Sequence, residues 1–436
     1  MLRQLSSVWG LLLSTFFMLA ATGLSFVVVP LRAQLEGWSP TTIGFFGAAY
    51  AAGFMAGCFF TPKLVLRVGH VRVYAVLSAV LCMSVLLHSV YVNVPIWLVA
   101  RALGGFALAG VYMVVESWLN EQATNETRGS VFSIYMIVNM VGLVSGQFLL
   151  ISGDPATTVL FILSGVLYAA AVIPTGLSNA SSPQPLTEAT LDLRELLTNS
   201  PVAVIGAVVA GAVWGSWSFH AAIYAADGGL AQSNIAFMLV AAMAGGVLFQ
   251  FPIGKISDVI DRRIVIIGVS FACALISGVL VLVQPDNGFA LYALVFCFGG
   301  TFMPIYSLVV AHGNDYADPA DFVEVSSGLL IVYGVGTMIG PVATGVLMDA
   351  VGRHGLFASV GVVLIVLVFF AAFRLTQRGA APEEERIDFN YAPTLPNAVT
   401  TESYLLDPRS DEDAYSSYEI DAEENALSAK SSDVAV

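Results

Sequence analysis

"FPIGKISDVIDRR", Phe251 to Arg263, sets five charged residues between two long apolar runs. Ahead of it stands "SNIAFMLVAAMAGGVLFQ" (233–250) and behind it "IVIIGVSFACALISGVLVLV" (264–283). Apolar runs of about 20 residues are long enough, as helices, to cross a hydrocarbon core roughly 30 Å thick. The charges then mark the point where the chain leaves the bilayer and turns back. "TPKLVLRVGHVR", Thr61 to Arg72, has the same outline, but Leu66 stands where the later copy has Asp258.

The rest of the chain extends this pattern. Of 436 residues, 57% are hydrophobic and only 11% charged, too much apolar surface for a soluble protein to hide. Twelve apolar spans are expected, near 7–29, 41–61, 72–91, 95–118, 130–151 and 157–177, then 201–226, 232–252, 264–284, 288–312, 325–348 and 354–375. The first run continues from Val8 to Val29, too long for the apolar region of a signal peptide, and reads as an uncleaved first span. The expected class is an all-α membrane protein.

Its organisation is read as four parts. Residues 1–177 form one six-helix bundle and 201–376 a second, with 178–200 as a cytoplasmic linker and 377–436 as an acidic tail. The linker is Ser/Pro-rich at first, and its second half has the pattern of a short surface helix. The tail holds 14 acids against 4 bases and no helical period, so it reads as disordered. The formal net charge of −14 therefore belongs mostly to the tail. No basic surface suggests nucleic acid.

Lysine and arginine set the orientation. With the N-terminus inside, eleven of them, from Arg3 to Arg378, fall on the inner side, and only Arg32 and Arg353 on the outer. That is a strong positive-inside asymmetry. Both termini are expected in the cytoplasm and the chain in the inner membrane.

The halves echo each other. Pro62 to Gly69 matches Gly254 to Asp261 at an offset of 192. "GVYMVVESWLNE" matches "PIYSLVVAHGND" at 194, pairing Tyr112 with Tyr306, Asn120 with Asn314 and Glu121 with Asp315. "GLVSG" (142–146) matches "GTMIGP" (336–341). Duplicated six-helix halves are the mark of transporters whose substrate site lies between the repeats at mid-membrane.

On these residues the chain resembles the major facilitator superfamily. Gly254, Asp258, Arg262 and Arg263 are similar to that superfamily's cytoplasmic signature, and "RALGG" from Arg101 resembles its span-4 arginine motif. "ESWLNEQATNETRGSVFSIYMIVN" (116–139) and "DFVEVSSGLLIVYGVGTMIGP" (321–341) are similar to the YcaD-type subgroup. The resemblance covers 1–376 and implies twelve helices in two pseudo-symmetric bundles and a transport function, with no particular cargo. Leu66 departs from the signature. Gly146-Gln147 departs from the span-5 Gly-Pro pattern of antiporters, which removes the main argument for export.

Several residues are candidates for the substrate or proton pathway. Arg101 lies about seven residues into span 4, roughly 10 Å below the outer surface, and should face the bundle interior. It would carry a substrate anion or couple protons, or else satisfy carbonyls of span 1. Glu116, roughly 22 Å further along that helix, is either a proton carrier or a structural acid for Arg67, Arg72 or Arg128. Trp214, Trp217, His220 and Tyr224 share one face of span 7, either lining a cavity or packing. Tyr112 and Tyr306 are polar handles at membrane depth.

A cytoplasmic gate is expected from the repeated charges. Arg262 or Arg263 would reach Asp315, and Arg67 or Arg72 would reach Glu121 or Glu116. Asp258 would cap a helix of the other half, which Leu66 cannot do.

Cys58, Cys82, Cys273 and Cys297 lack metal-ligand spacing, and no cofactor, phosphate loop or nucleophile–base arrangement appears. The chain is therefore expected to be no enzyme. The expectation is a monomeric secondary transporter of a small solute, working by alternating access with proton coupling. A transporter-like sensor signalling through the acidic tail is the alternative.

Overall fold

In lipid every backbone N–H and C=O must be satisfied within the protein, which leaves an apolar run of this length no choice but helix. The computed structural model describes residues 2–122, 127–177, 198–285, 288–317 and 322–377, and among them it is all-helical, with twelve helices long and apolar enough to span a membrane. Spans 1 to 5 are Leu2–Leu35, Pro40–Val68, His70–Val90, Val94–Gln122 and Arg128–Phe148. Span 6 runs Val159–Ala170 and on through Val172–Gly176. Spans 7 to 9 are Pro201–Asp227, Gln232–Val259 and Arg262–Val283. Span 10 is Phe289–Phe302 with Pro304–Asn314, and spans 11 and 12 are Phe322–Val351 and Gly355–Leu375. The expected linker, apart from Thr198–Ser200, and the expected tail beyond Gln377 lie outside the described residues.

The charged segments differ from expectation. Spans 2 and 8 were expected to end at 61 and 252, but both helices run seven residues further. Pro62 and Pro252 are carried inside them. Proline costs the helix one hydrogen bond, and the Lys and Arg beyond it are good helix formers. "GKISDV" is thus the last turn and a half of span 8, not loop. The turn itself is short: Ile260 and Asp261 in the second half, and Gly69 alone in the first. Gly69 has φ +86°, which a side chain would disfavour. Span 10 breaks at Met303 because Pro304 brings no N–H.

The two six-helix bundles are pseudo-symmetric down to single glycines. A Cβ on Gly53 would run into the Ala102 carbonyl, and one on Gly105 into that of Tyr50. In the second half Gly245 meets the Phe296 carbonyl and Gly299 that of Ala242, at the same offsets of 192 and 194. Likewise Gly146 abuts Ala20 in span 1, and Gly340 abuts Ala212 in span 7. Small residues allow this backbone approach, the source of packing energy where the surrounding lipid is as apolar as leucine. Spans 1, 4, 7 and 10 are the most buried, so the middle of the molecule is built from them.

Candidate functional site

A cavity lies between the two halves. Spans 1, 2 and 5 contribute Phe26, Tyr50 and Gln147, and span 7 contributes Trp214, Trp217 and Phe219. The two tryptophans are three residues apart, so one helix face carries both. Trp217 packs on Phe298 at 5.3 Å between ring centroids, and Trp214 on Phe302 at 6.1 Å. The wall is predominantly aromatic and aliphatic. Gln147 is a polar exception: its Nε2 donates to Met243 Sδ at 3.4 Å, and its Oε1 has no partner among the described residues.

Arg101 does face the interior, as its depth in an apolar helix required. Its guanidinium carbon lies 4.7 Å from the Tyr50 ring centroid, 5.1 Å from Phe26 and 5.2 Å from Phe219. Three helices thus supply aromatic faces, and Phe219 comes from the opposite half. No carboxylate pairs with Arg101 among the described residues. A desolvated cation–π contact is worth about 2 kcal/mol. Burying an ion costs several kcal/mol even after relaxation, a cost that three such contacts are of the size to offset. A second, smaller cavity adjoins the guanidinium; Tyr50 and Phe26 stand on the walls of both cavities.

The other expected pathway residues are not on the central cavity's lining. His220 is fully buried, with Nε2 3.1 Å from the Pro40 carbonyl of the other half and Nδ1 3.3 Å from the Ser216 carbonyl. Tyr224 packs edge-on against Phe357 at 4.8 Å. The span-7 stripe therefore divides: its two tryptophans meet the cavity, and its last two members pack. Tyr306 packs against Tyr333 with tilted rings, 4.6 Å between centroids, and Tyr112 is buried within its own half. Glu116 is buried and accepts a hydrogen bond from Tyr135 Oη at 3.1 Å.

Of the expected gate charges, Arg262 Nε does reach Asp315, at 2.9 Å, within the second half. Asp258, in the last turn of span 8, lies 3.5 Å from Arg262 at the start of span 9. Arg263 is held by Asp261, through N at 3.0 Å, Nε at 3.1 Å and Nη2 at 2.7 Å. Burial alone would raise the Asp261 carboxyl, but these hydrogen bonds outweigh it and hold it below the usual carboxylate range. In the first half Arg67 and Arg72 are exposed and make no ion pair among the described residues, so neither holds Glu116. By the repeat, the place of Arg262 is taken there by His70, which contacts Ser117 at 3.3 Å. The side chains of Glu121 and Arg128 lie outside the described residues.

Among the described residues, several contacts join the halves at the opposite end. Gln34 donates to Asp227, and Thr41 donates to Asp349 from both Oγ1 and N, the latter at 3.3 Å. Phe148 packs on Phe237 at 5.3 Å, and Gly345 abuts the Pro40 carbonyl. These residues sit where spans 1, 5, 7 and 11 end and spans 2 and 8 begin.

The sequence reading missed Phe26, Tyr50 and Phe219. Each is one aromatic residue in a helix full of them, and their convergence on Arg101 crosses three spans. The available signal was the arginine itself, which has to find partners.

Comparison with known proteins agrees with this architecture. The family model described as Major Facilitator Superfamily matches residues 11–330. The uncharacterized MFS-type transporter YcaD of Salmonella arizonae is 26% identical over 369 residues, 82% of this chain and 93% of the relative. Among solved structures, the nucleoside transporter NupG superposes with a TM-score of 0.70 at 15% identity, covering 84% of this chain and 98% of that one. A bacterial homolog of the human lysosomal transporter Spinster, inward-facing and occupied, gives 0.65 at 15%, covering 88% and 98%. At such identity the structural likeness speaks for the fold. The chain belongs to the Major Facilitator Superfamily and is a multi-pass membrane transporter.

Proposed function

We propose that the chain carries a small solute across the cytoplasmic membrane by alternating access, with a proton as the coupling ion. The observation that carries this is the cavity between the halves, lined from both, with described contacts joining the halves at one end of it. The excess of Lys and Arg puts that end outside and both termini in the cytoplasm. On this reading the structure corresponds to the outward-closed state. Rocking the halves would break the Gln34–Asp227 and Thr41–Asp349 contacts and expose the cavity to the other side.

Arg101 and Glu116 are the candidate charged groups for coupling. Arg101 stands beside the cavity wall. Glu116, held by Tyr135, is a carboxylate that could take up and release a proton. The working unit is taken as one chain, since both halves of the cavity come from it.

The test is an untargeted comparison of solutes inside and outside cells with and without the protein, followed by uptake of the leading solute into vesicles with an imposed proton gradient. Glu116→Gln should abolish gradient-driven accumulation while leaving downhill exchange. Accumulation that ignores the gradient in the unmodified protein would remove the proton from the scheme.

A further inference from the structure

Unsatisfied buried groups meet on the smaller cavity beside span 4. Arg101 is 5% exposed, and its Nε and Nη2 have no hydrogen-bond partner among the described residues. These two nitrogens form the side-on edge of the guanidinium, whose parallel N–H bonds match the two oxygens of a carboxylate. The hydroxyl of Tyr50, buried on the same wall, also lacks a partner among the described residues. Thr22 is there as well, its hydroxyl 3.1 Å from that of Tyr168. His88 lies on the wall with Nδ1 2.7 Å from the Ser84 carbonyl, which makes Nδ1 the donor and Nε2 an acceptor. His88 thus takes no part in holding an anion.

The feature occurs once per chain. The repeat that superposes glycine on glycine carries Tyr50 to Ala242 and Arg101 to Val295, both apolar. One half offers a fork of donors and the other offers none. Tyr50 and Phe26 separate this polar cavity from the larger apolar one, and Trp214 and Trp217 line the far side of the latter.

We propose that the small cavity is a subsite for the carboxylate of an organic monoacid, held by Arg101 and Tyr50, while the acid's apolar or aromatic body occupies the larger cavity against Trp214 and Trp217. The acid displaces the ring faces from the guanidinium edge. Phe219, reaching Arg101 from the other half, is the ring that has to move, and binding thereby touches the contact between halves. This names the solute class and rests on the transport reading for its route, but binding is measurable without transport.

The experiment uses the purified full-length protein in detergent. Acetate, benzoate and phenylacetate are compared with acetamide, benzamide and phenylacetamide, and with chloride and inorganic phosphate, by thermal unfolding and tryptophan fluorescence. The acids with a ring should bind roughly tenfold or more tightly than their amides at neutral pH. Arg101→Gln should erase that preference. Tyr50→Phe keeps the ring and should lower acid affinity several-fold while leaving the amides unchanged, and it decides the matter if the arginine variant fails to fold. No acid-over-amide preference anywhere in the panel overturns the subsite, as does a preference that survives these substitutions. Chloride or phosphate acting as strongly as the acids overturns the carboxylate assignment. Flux in vesicles is read separately: binding without flux sinks the transport reading alone, and flux of solutes without acid preference sinks the subsite alone.

Discussion

Arg262 Nε lies 2.9 Å from Asp315 Oδ2, both side chains buried, and the pair ties the start of span 9 to the end of span 10 within one half. It cannot by itself hold the two halves together. Its removal should be felt as lost stability. Asp315→Asn leaves Arg262 with Asp258, 3.5 Å away and partly exposed, as its remaining ion-pair partner among the described residues. Breaking a buried pair from one side costs about 3 kcal/mol or more. Asp258→Asn removes a partly exposed contact worth under about 1 kcal/mol. Thermal unfolding in detergent should therefore rank Asp315→Asn well below Asp258→Asn, and equal losses would refute the division of roles.

The opposite end should respond by opening. Thr41 to Asp349 and Gln34 to Asp227 cross between halves at exposed positions. Each such hydrogen bond is worth about 1 kcal/mol. Asp349→Ala combined with Asp227→Ala should raise the outward-open fraction on the order of tenfold. The readout is maleimide labelling, from outside, of a cysteine placed at Ala222 on the cavity wall, in a chain lacking its four native cysteines. Unchanged labelling in the folded double variant would mean that these contacts do not hold the closure.

Trp217 should report on the cavity's contents. It is on the wall, packed from behind by Phe298. A bromophenyl compound held there would quench it by heavy-atom contact. Trp217→Phe should remove a large part of that quenching and Trp9→Phe should not, since Trp9 is exposed near the start of span 1. Equal losses would place the probe elsewhere.

The sequence made the twelve spans and the repeat legible because both are one-dimensional: run length, charge spacing and offset. Arg101's burial followed from the cost of a charge in lipid. Its surroundings did not follow, because Phe26, Tyr50 and Phe219 approach from three helices and no spacing along the chain records that meeting. The contact of Arg262 with Asp315 was legible from the charges, but that Asp261 rather than Asp315 holds Arg263 is a matter of packing. His220 illustrates the same limit. Its face of span 7 was visible, but not that the Pro40 carbonyl of the other half would lie against it.

The segment that opens the reading also yields a pH dependence. Asp261 ends the short turn of "GKISDVIDRR" and caps span 9 by accepting from Arg263 N at 3.0 Å, while the Arg263 guanidinium closes onto the same carboxylate. Asp261→Ala removes both cap and charge, and loss of an N-cap costs about 1 kcal/mol. Asp261→Asn keeps an acceptor for the cap and removes only the charge. Because the folded protein holds the Asp261 carboxyl below its ordinary value, its charge stabilises the fold at neutral pH. That contribution fades as pH falls below the usual carboxylate range, about 4, and through the lower folded value. Unfolding midpoints should thus separate the unmodified protein from Asp261→Asn at neutral pH and converge on acidification, while Asp261→Ala stays lower throughout. A gap between the unmodified protein and Asp261→Asn that persists unchanged into acid would show that the carboxylate's charge contributes nothing at this turn.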